Sequence, residues 1–267
     1  MRRAAGEGGA AVIIPAAGLG KRVGTRTPKQ FLRLATAPIL VLTVERFARH
    51  RAIGTIVVAA PPADVHRTER LLEPIRRRRT IVVVPGGKER QDSVRSGLAA
   101  APASSKIILV HDAVRPFVTP SLIGELVAAA RRHGAAICGL PVTDTVKRVT
   151  NGIVETTLDR SRLWSAQTPQ AFRASLLREA HERAHRDGFR GTDEAMLVER
   201  LGHPVRMIRG LAENLKITTP ADLSRARGLI ARQVRSAGEL SPAGRAAGLG
   251  SRARRPGNVS RLGGRGR

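Results

Sequence analysis

The sequence predicts a doubly wound α/β domain on a mostly parallel sheet. Three observations carry that expectation. Short apolar runs alternate with helix-length segments along most of the 267 residues. The runs are near-continuously apolar, as strands buried on both faces require. Glycine-bearing polar segments follow them directly, where ligands bind in such sheets, at strand carboxyl ends.

The first strand is Val12 to Ile14, and the next are Thr55–Ala60, Thr80–Val84, Lys106–Val110 and Ala135–Leu140, with Val205–Ile208 later. Helices are expected over 37–50, 62–75, 91–101, 120–133, 173–187, 192–201 and 220–235. The segment 142–168 departs from this rhythm. Two β-rich runs, Val142–Val149 and Gly152–Leu158, flank Thr150-Asn151-Gly152, and Asn-Gly between such runs is a strong hairpin signal. A hairpin inserted there caps a site or reaches a partner subunit. Residues 236–267 are Gly, Ala, Arg, Ser and Pro with few large apolar side chains, and read as a disordered tail.

Composition narrows the class. Hydrophobic residues make up 42%, enough for a real core, but aromatics only 2% with no Tyr, so Val, Ile, Leu and Ala must build it. The single cysteine, Cys138, excludes an intramolecular disulfide and a cysteine metal cluster, and its apolar surroundings suggest a buried thiol. No run approaches 18 uncharged apolar residues, so no membrane span is expected. Met1-Arg2-Arg3-Ala4 does not lead into a secretion signal, so a cytoplasmic protein is expected. The formal net charge is +26, of which +7 falls in residues 235–267. Such charge raises nucleic-acid binding. The interleaved aromatics of a single-strand binder are missing, and arginine-rich composition also follows from a GC-rich genome, the preferred reading. Excess positive charge attracts anionic small substrates in either case.

The most informative stretch is Ala11-Val12-Ile13-Ile14-Pro15-Ala16-Ala17-Gly18-Leu19-Gly20-Lys21-Arg22, followed by Thr27-Pro28-Lys29-Gln30. An apolar strand ends in a loop whose glycines admit a bulky anion, with Arg22 and Lys29 beside it. Neither common phosphate loop fits. The Walker pattern and the dinucleotide fingerprint both fail at Val23. A second glycine loop, Pro85-Gly86-Gly87-Lys88-Glu89-Arg90-Gln91-Asp92-Ser93, enters a helix, with Asp92 or Ser93 as a cap and Ser93 as a base or ribose contact. His111-Asp112-Ala113-Val114-Arg115 follows the fourth strand. Asp112 is placed to meet a ribose hydroxyl or Mg²⁺; Arg115 either pairs with Asp112 or touches ligand; His111 is a candidate structural histidine. Asp159-Arg160, Gln167-Thr168-Pro169-Gln170, Thr192-Asp193-Glu194 and Asn214-Leu215-Lys216 add polar loop residues, Lys216 within a strand-like step. No Ser-His-Asp set and no paired metal histidines stand out. Arg22, Lys29, Arg160 and Lys216 are cations suited to positioning two phosphates and stabilising transferring phosphoryl charge.

These motifs together resemble the 2-C-methyl-D-erythritol 4-phosphate cytidylyltransferases of the non-mevalonate isoprenoid pathway. The likeness spans about residues 11–233 and rests on Pro15–Arg22, Pro28–Leu32, His111–Pro116, Asp144–Lys147, Leu163-Trp164, Thr168–Gln170, Thr192–Glu194 and Asn214–Thr218. It implies a Rossmann-like fold, CMP transfer from CTP to methylerythritol phosphate, pyrophosphate release and Mg²⁺ as cofactor. It implies that Arg22 and Lys29 are catalytic. Ala16, Ala17, Gly18, Gly20, Gly87, Ser93, Asp112, Ala113, Arg115 and Thr168 would line the CTP site, and Arg160, Lys216, Thr145 and Thr192 would hold the substrate phosphate and polyol. Mg²⁺ would ride mainly on the CTP phosphates, with Asp112 the candidate side-chain contact. In this family Arg160 and Thr145 belong to an arm that crosses into the partner of a homodimer. The expected organisation is a flexible 1–10, a nucleotidyltransferase domain 11–234 with a dimerisation arm at about 142–168, and a basic tail 235–267. Lys88 stands where some relatives carry an Asp. The near rival is a ribitol 5-phosphate cytidylyltransferase, which shares the glycine, Pro-Lys-Gln and His-Asp motifs; a basic nucleic-acid-binding protein is the alternative of another class.

Overall fold

The computed structural model describes residues 9–18 and 27–239, with side chains through residue 232. Gly20 and Arg22, most of the expected flexible N-terminus and the tail beyond 239 lie outside the described residues.

The first strand, β1 (Ala10–Pro15), is buried along almost its whole length. A 3₁₀ turn at Lys29–Phe31 and a small pair, β2 (Arg33–Leu34) with β3 (Ala37–Pro38), lead into α1 (Ile39–Ala48). There follow β4 (Ile53–Ala60), α2 (Val65–Arg76), β5 (Thr80–Pro85), α3 (Arg90–Ala100), β6 (Ile107–Val110), α4 (Pro120–His133) and β7 (Ala135–Pro141). The hairpin strands β8 (Lys147–Thr150) and β9 (Ile153–Thr157) come next, then β10 (Trp164–Arg173), α5 (Ala174–Arg186), α6 (Glu194–Arg200), β11 (Arg206–Arg209) and α7 (Pro220–Glu239). Helix α7 runs past residue 234, so the first residues of the expected tail are helical. Residues 227–239 of that helix belong to a second compact unit.

Seven strands form the central sheet in the order β11-β7-β10-β6-β1-β4-β5. β1 pairs in parallel with β4 on one side and β6 on the other, so the strand order reverses there. Its alternate side chains serve two cores. Val12 and Ile14 face Leu40, Phe47 and Ile123, whereas Ala11 and Ile13 face Val94, Leu98 and Leu177. That two-sided burial is why the strands read as unbroken apolar runs.

Local chemistry sets many boundaries. Thr119 caps α4 by accepting from the Leu122 amide at 3.3 Å, Pro120 fills the first turn, and Gly134 at φ 88° ends the helix. Asn151 and Gly152, at φ 51° and 81°, make the two-residue turn between β8 and β9. One expectation needs correction. Residues 164–170, read as polar loop, lie in β10, which is antiparallel to both β6 and β7 and runs on to Arg173, where a helix was expected to begin. Trp164 opposite Pro141 closes the stem of the hairpin, so the insertion spans 142–163 and the rest of the segment belongs to the sheet. The sheet is mostly parallel with this one antiparallel insert.

Candidate active site

The strand reversal beside β1 opens a crevice at its carboxyl end, the ligand position general to such sheets. Pro15, Ala16, Ala17 and Gly18 form one wall, Gly87 to Arg90 with Ser93 a second, Asp112 to Val114 a third, and Lys29, Gln30 and Lys216 complete a cleft of about 220 Å³. Gln30 secures the first wall by donating to the Ala16 carbonyl at 2.7 Å. At Gly86 a Cβ would lie 2.5 Å from the Ala17 Cβ and 2.9 Å from Ser93 Oγ, so only glycine lets the two loops approach this closely. The Ser93 hydroxyl accepts from the Gly87 amide at 3.1 Å and donates to the Glu89 carbonyl at 3.1 Å. Asp92 Oδ2 accepts from the Glu89 amide at 3.2 Å. Of the two cap candidates, Asp92 closes the first turn on the N-cap residue Glu89, while Ser93 ties Gly87 to Glu89; together they hold the second glycine loop against the first turn of α3.

Asp112 is the electrostatic centre. Its residue is 7% exposed, yet three cations reach its carboxylate: Lys216 at 3.0 Å, Arg115 at 3.2 Å and Arg90 at 3.5 Å. Burial would raise its pKa, but Lys216, Arg90 and Arg115 hold the carboxyl well below the usual carboxylate range. Behind it, the Arg115 guanidinium also donates to the Asn214 carbonyl at 2.7 Å, and Asn214 donates to the Thr168 carbonyl at 2.8 Å. The Asp112 amide donates to Thr168 Oγ1 at 3.0 Å. His111 is fully buried, with Nε2 3.0 Å from the Arg115 carbonyl and Nδ1 3.2 Å from the Thr168 hydroxyl. A carbonyl only accepts, so Nε2 carries the proton and Nδ1 accepts from Thr168. Burial pushes this imidazole down to about 4, keeping it neutral.

A second ion pair braces the same floor. Arg90 Nη1 lies 2.7 and 2.8 Å from the two oxygens of Glu194, which is 1% exposed. Burial raises the Glu194 carboxyl above its ordinary range and Arg90 draws it back. Burial opposes the Arg90 charge too, but Glu194 and Asp112 outweigh it and raise its pKa.

Of the residues singled out in the sequence, Ala16, Ala17, Gly18, Lys29, Gly87, Ser93, Asp112, Ala113 and Lys216 converge on the cleft. Lys216 sits in a loop rather than a strand. Arg115 and Thr168 are buried behind the cleft wall, where Arg115 makes its expected pair with Asp112. Thr192 is exposed just before α6, its hydroxyl 3.8 Å from Met196 Sδ. Thr145 and Arg160 lie in the 142–163 insertion, where Arg160 donates to the Thr143 carbonyl; none of these three lines the cleft of a single chain. Arg90, Glu194 and Gln30 stood inside quoted motifs, but nothing local distinguished them from capping or surface residues. Cys138 is buried in β7, where burial pushes its thiol up to about 12.

The cleft therefore presents Lys29, Lys88, Arg90 and Lys216 against Glu89 and Asp112, an excess of positive charge suited to a polyphosphate. The family model described as 2-C-methyl-D-erythritol 4-phosphate cytidylyltransferase (IspD) matches residues 10–232. The chain belongs to this cytidylyltransferase family. Curated relatives bearing that name include one from Syntrophotalea carbinolica, 50% identical over 214 residues, covering 79% of this chain and 92% of the relative. Another, from Geobacillus kaustophilus, is 47% identical over 219 residues, covering 82% and 96%. A 2-C-methyl-D-erythritol 4-phosphate cytidylyltransferase structure from Thermus thermophilus superposes with TM-score 0.70 at 37% identity, covering 83% of this chain and 98% of that one. A 4-diphosphocytidyl-2C-methyl-D-erythritol synthase structure from Anaerococcus prevotii superposes with TM-score 0.75 at 28% identity, covering 84% and 99%. As a member of this family the chain is a nucleotidyltransferase.

The cleft offers Mg²⁺ few protein donors. No three His, Cys, Asp or Glu side chains cluster among the described residues. Asp112 Oδ2 is bridged by Lys216 and Arg115, leaving Oδ1, 3.5 Å from Arg90, less engaged. This fits an ion carried mainly on phosphate oxygens with one carboxylate contact, the usual mode for Mg²⁺.

Proposed function

We propose that the cleft binds CTP and that the enzyme transfers CMP to 2-C-methyl-D-erythritol 4-phosphate, releasing pyrophosphate for isoprenoid precursor synthesis. The observation that carries this is a cationic cleft at the sheet's reversal point, walled by two glycine loops, in a chain of this family. The loop Ala16 to Gly18 and the turn at Gly87 bring backbone close to the triphosphate. Arg22 and Lys29 stabilise charge gathering on the α-phosphate and the leaving pyrophosphate. An oxygen of the substrate phosphate attacks the α-phosphorus in line. The new P–O bond forms as the bond between the α-phosphorus and its bridging oxygen to the β-phosphorus breaks, and pyrophosphate takes the electron pair. Asp112, ionised by its three cations, accepts a ribose hydroxyl and orients Lys216 toward the substrate phosphate. Mg²⁺, when bound, neutralises phosphate charge, and Asp112 is the residue that would hold it. Chemistry of this kind rests on positioning and electrostatics rather than on a protein nucleophile.

The site is completed by a second copy of the chain. The β8–β9 hairpin exposes Val149, Ile153 and Val154 at 52%, 72% and 55%, together with Trp164 at its stem. Apolar side chains gathered on a projecting hairpin mark an interaction surface. Arg160 and Thr145 beside it would reach the partner's cleft, with Thr192 and Lys216 facing them there. No helix among the described residues is long and apolar enough to cross a membrane, in keeping with the cytoplasmic location we propose.

The deciding measurement is pyrophosphate release from CTP with methylerythritol 4-phosphate and with ribitol 5-phosphate in turn. Turnover with methylerythritol phosphate is expected. Release only with ribitol phosphate would overturn the substrate assignment, and release with neither would overturn the enzymatic reading.

A further inference from the structure

A second cavity, of about 380 Å³, lies between α3 and α5, away from the catalytic cleft. Helix α3 is tied at one end to α5 and at the other to the loop that follows α5. Arg178 of α5 donates to the Leu98 carbonyl at 2.7 Å and the Ala101 carbonyl at 3.2 Å. At the other end Gln91 donates to the Phe189 carbonyl at 3.1 Å and accepts from the Gly191 amide at 3.0 Å. Between the ties, Gln91, Asp92 and Arg95 on α3 face His181, Ala184 and His185 on α5, with Arg190 at the edge.

His181 lines this cavity at 2% exposure, and neither ring nitrogen has a hydrogen-bond partner among the described residues. An orphaned polar group so deeply buried is costly unless something meets it. Burial, then Arg90 and Arg95, push its pKa down to about 4, so it is neutral and offers one N–H. Arg95 makes no salt bridge among the described residues, and Arg190 reaches only Asp92, at 2.9 Å. The lining thus combines two guanidinium groups and imidazole donors against a single carboxylate. That chemistry recognises a small oxyanion of phosphate type.

The cavity is wired to the catalytic cleft. Arg190 holds Asp92 Oδ1, and Asp92 Oδ2 holds the Glu89 amide at 3.2 Å, while Gly87 packs on Asp92. Gly87 and Glu89 line the cleft. We propose that this cavity is a second, regulatory site for a phosphate oxyanion, which competes with Asp92 for Arg190 and so loosens the second glycine loop and weakens CTP binding. Such an anion is a product or a substrate moiety of the reaction itself. By linkage, CTP weakens anion binding by the same factor.

The test uses the full chain with inorganic phosphate, and separately pyrophosphate, at constant ionic strength. The His181 ring resonances, assigned by their absence in His181→Leu, are followed by NMR. We expect saturable shifts in the wild type and in Lys29→Ala, and none in Arg95→Gln. In parallel, phosphate is expected to raise KM for CTP about fivefold more in the wild type than in Arg95→Gln or His181→Leu, the lower range of allosteric coupling. Any competition within the cleft persists in those two variants and is subtracted by them. A larger effect of pyrophosphate than of phosphate identifies product feedback; the reverse identifies the monophosphate as the effector. Unmoved His181 resonances would overturn the site. An equal rise in KM in wild type and both variants would overturn the coupling.

Discussion

Replacing Arg90 with alanine is the most informative single perturbation of the scaffold. Arg90 Nη1 meets both oxygens of Glu194 within 2.8 Å, and its Nε lies 3.5 Å from Asp112. Asp112 keeps Lys216 and Arg115. Glu194 keeps no other cation within salt-bridge distance among the described residues, and it is almost wholly buried. Breaking a buried pair by removing one partner costs about 3–5 kcal/mol. The Arg90 side chain is 29% exposed, which places the expected loss near about 3 kcal/mol. At roughly 2–4 °C per kcal/mol, the melting temperature falls by about 6–12 °C at neutral pH. The loss has a pH signature. Without Arg90 the folded-state pKa of Glu194 rises further above its ordinary value of 4.5, so the folded state holds its proton more tightly than the unfolded chain does. The penalty therefore shrinks as pH falls toward 4.5 and grows as it rises through the folded value. Removing both partners, Arg90→Ala with Glu194→Ala, returns part of the lost stability. Thermal melts of the three variants at pH 5 and pH 8 decide the matter. A melting point for Arg90→Ala within 2 °C of wild type at pH 8, or a double variant less stable than the single, refutes the reasoning.

Arg22→Ala and Lys29→Ala should each lower kcat by about 10²-fold or more, the scale for losing a preorganised charge partner; an unchanged kcat removes that residue from the mechanism. Mixing Arg160→Ala and Lys29→Ala subunits should restore activity, because one of the two sites in each mixed dimer then draws both residues from intact chains; confirmed mixed dimers without activity count against the crossing arm. Gly86→Ala should cost about 1–3 kcal/mol by forcing the two glycine loops apart, with a raised KM for CTP; a melting point and KM equal to wild type would show that the loops do not rely on this close approach. Both His111 and His181 bind a proton more weakly folded than unfolded, so acid favours the unfolded chain. Stability should fall as pH drops from 6.5 toward about 4, by up to about 1.4 kcal/mol per pH unit for each histidine. Urea titrations across that window should show a shallower fall in His181→Leu, and an unaltered slope would refute its part.

Much of the sheet was legible because burial on two faces leaves a simple mark. Ile56–Ala60 and Ile107–Val110 are unbroken apolar runs of strand length, as burial on both faces of a sheet requires. The strand that escaped notice, β10, shows what such patterns omit. Its segment Trp164–Arg173 carries Ser, two Gln, Thr and Pro, the composition of a loop. In the fold Gln167, Thr168 and Gln170 are buried struts. Gln170 accepts from the amides of Glu194 and Ala195, both at 3.2 Å, and donates to the Asp193 carboxylate at 2.7 Å. Gln167 exchanges hydrogen bonds with Leu211, 44 residues away. Buried polar groups endure only with such partners, and partners this distant leave no trace in local periodicity. The same limit hid the Arg90–Glu194 pair, separated by 104 residues. The cleft itself divides along this line. Its glycines, Lys29 and Lys216 announce themselves by type and spacing, as parts that touch a ligand must. The chain from Thr168 through Asn214 and Arg115 to Asp112 fixes where the carboxylate points. It recruits residues whose local role as loop or cap is already complete, so their second role exists only once the sheet has brought β6, β10 and the Lys216 loop together.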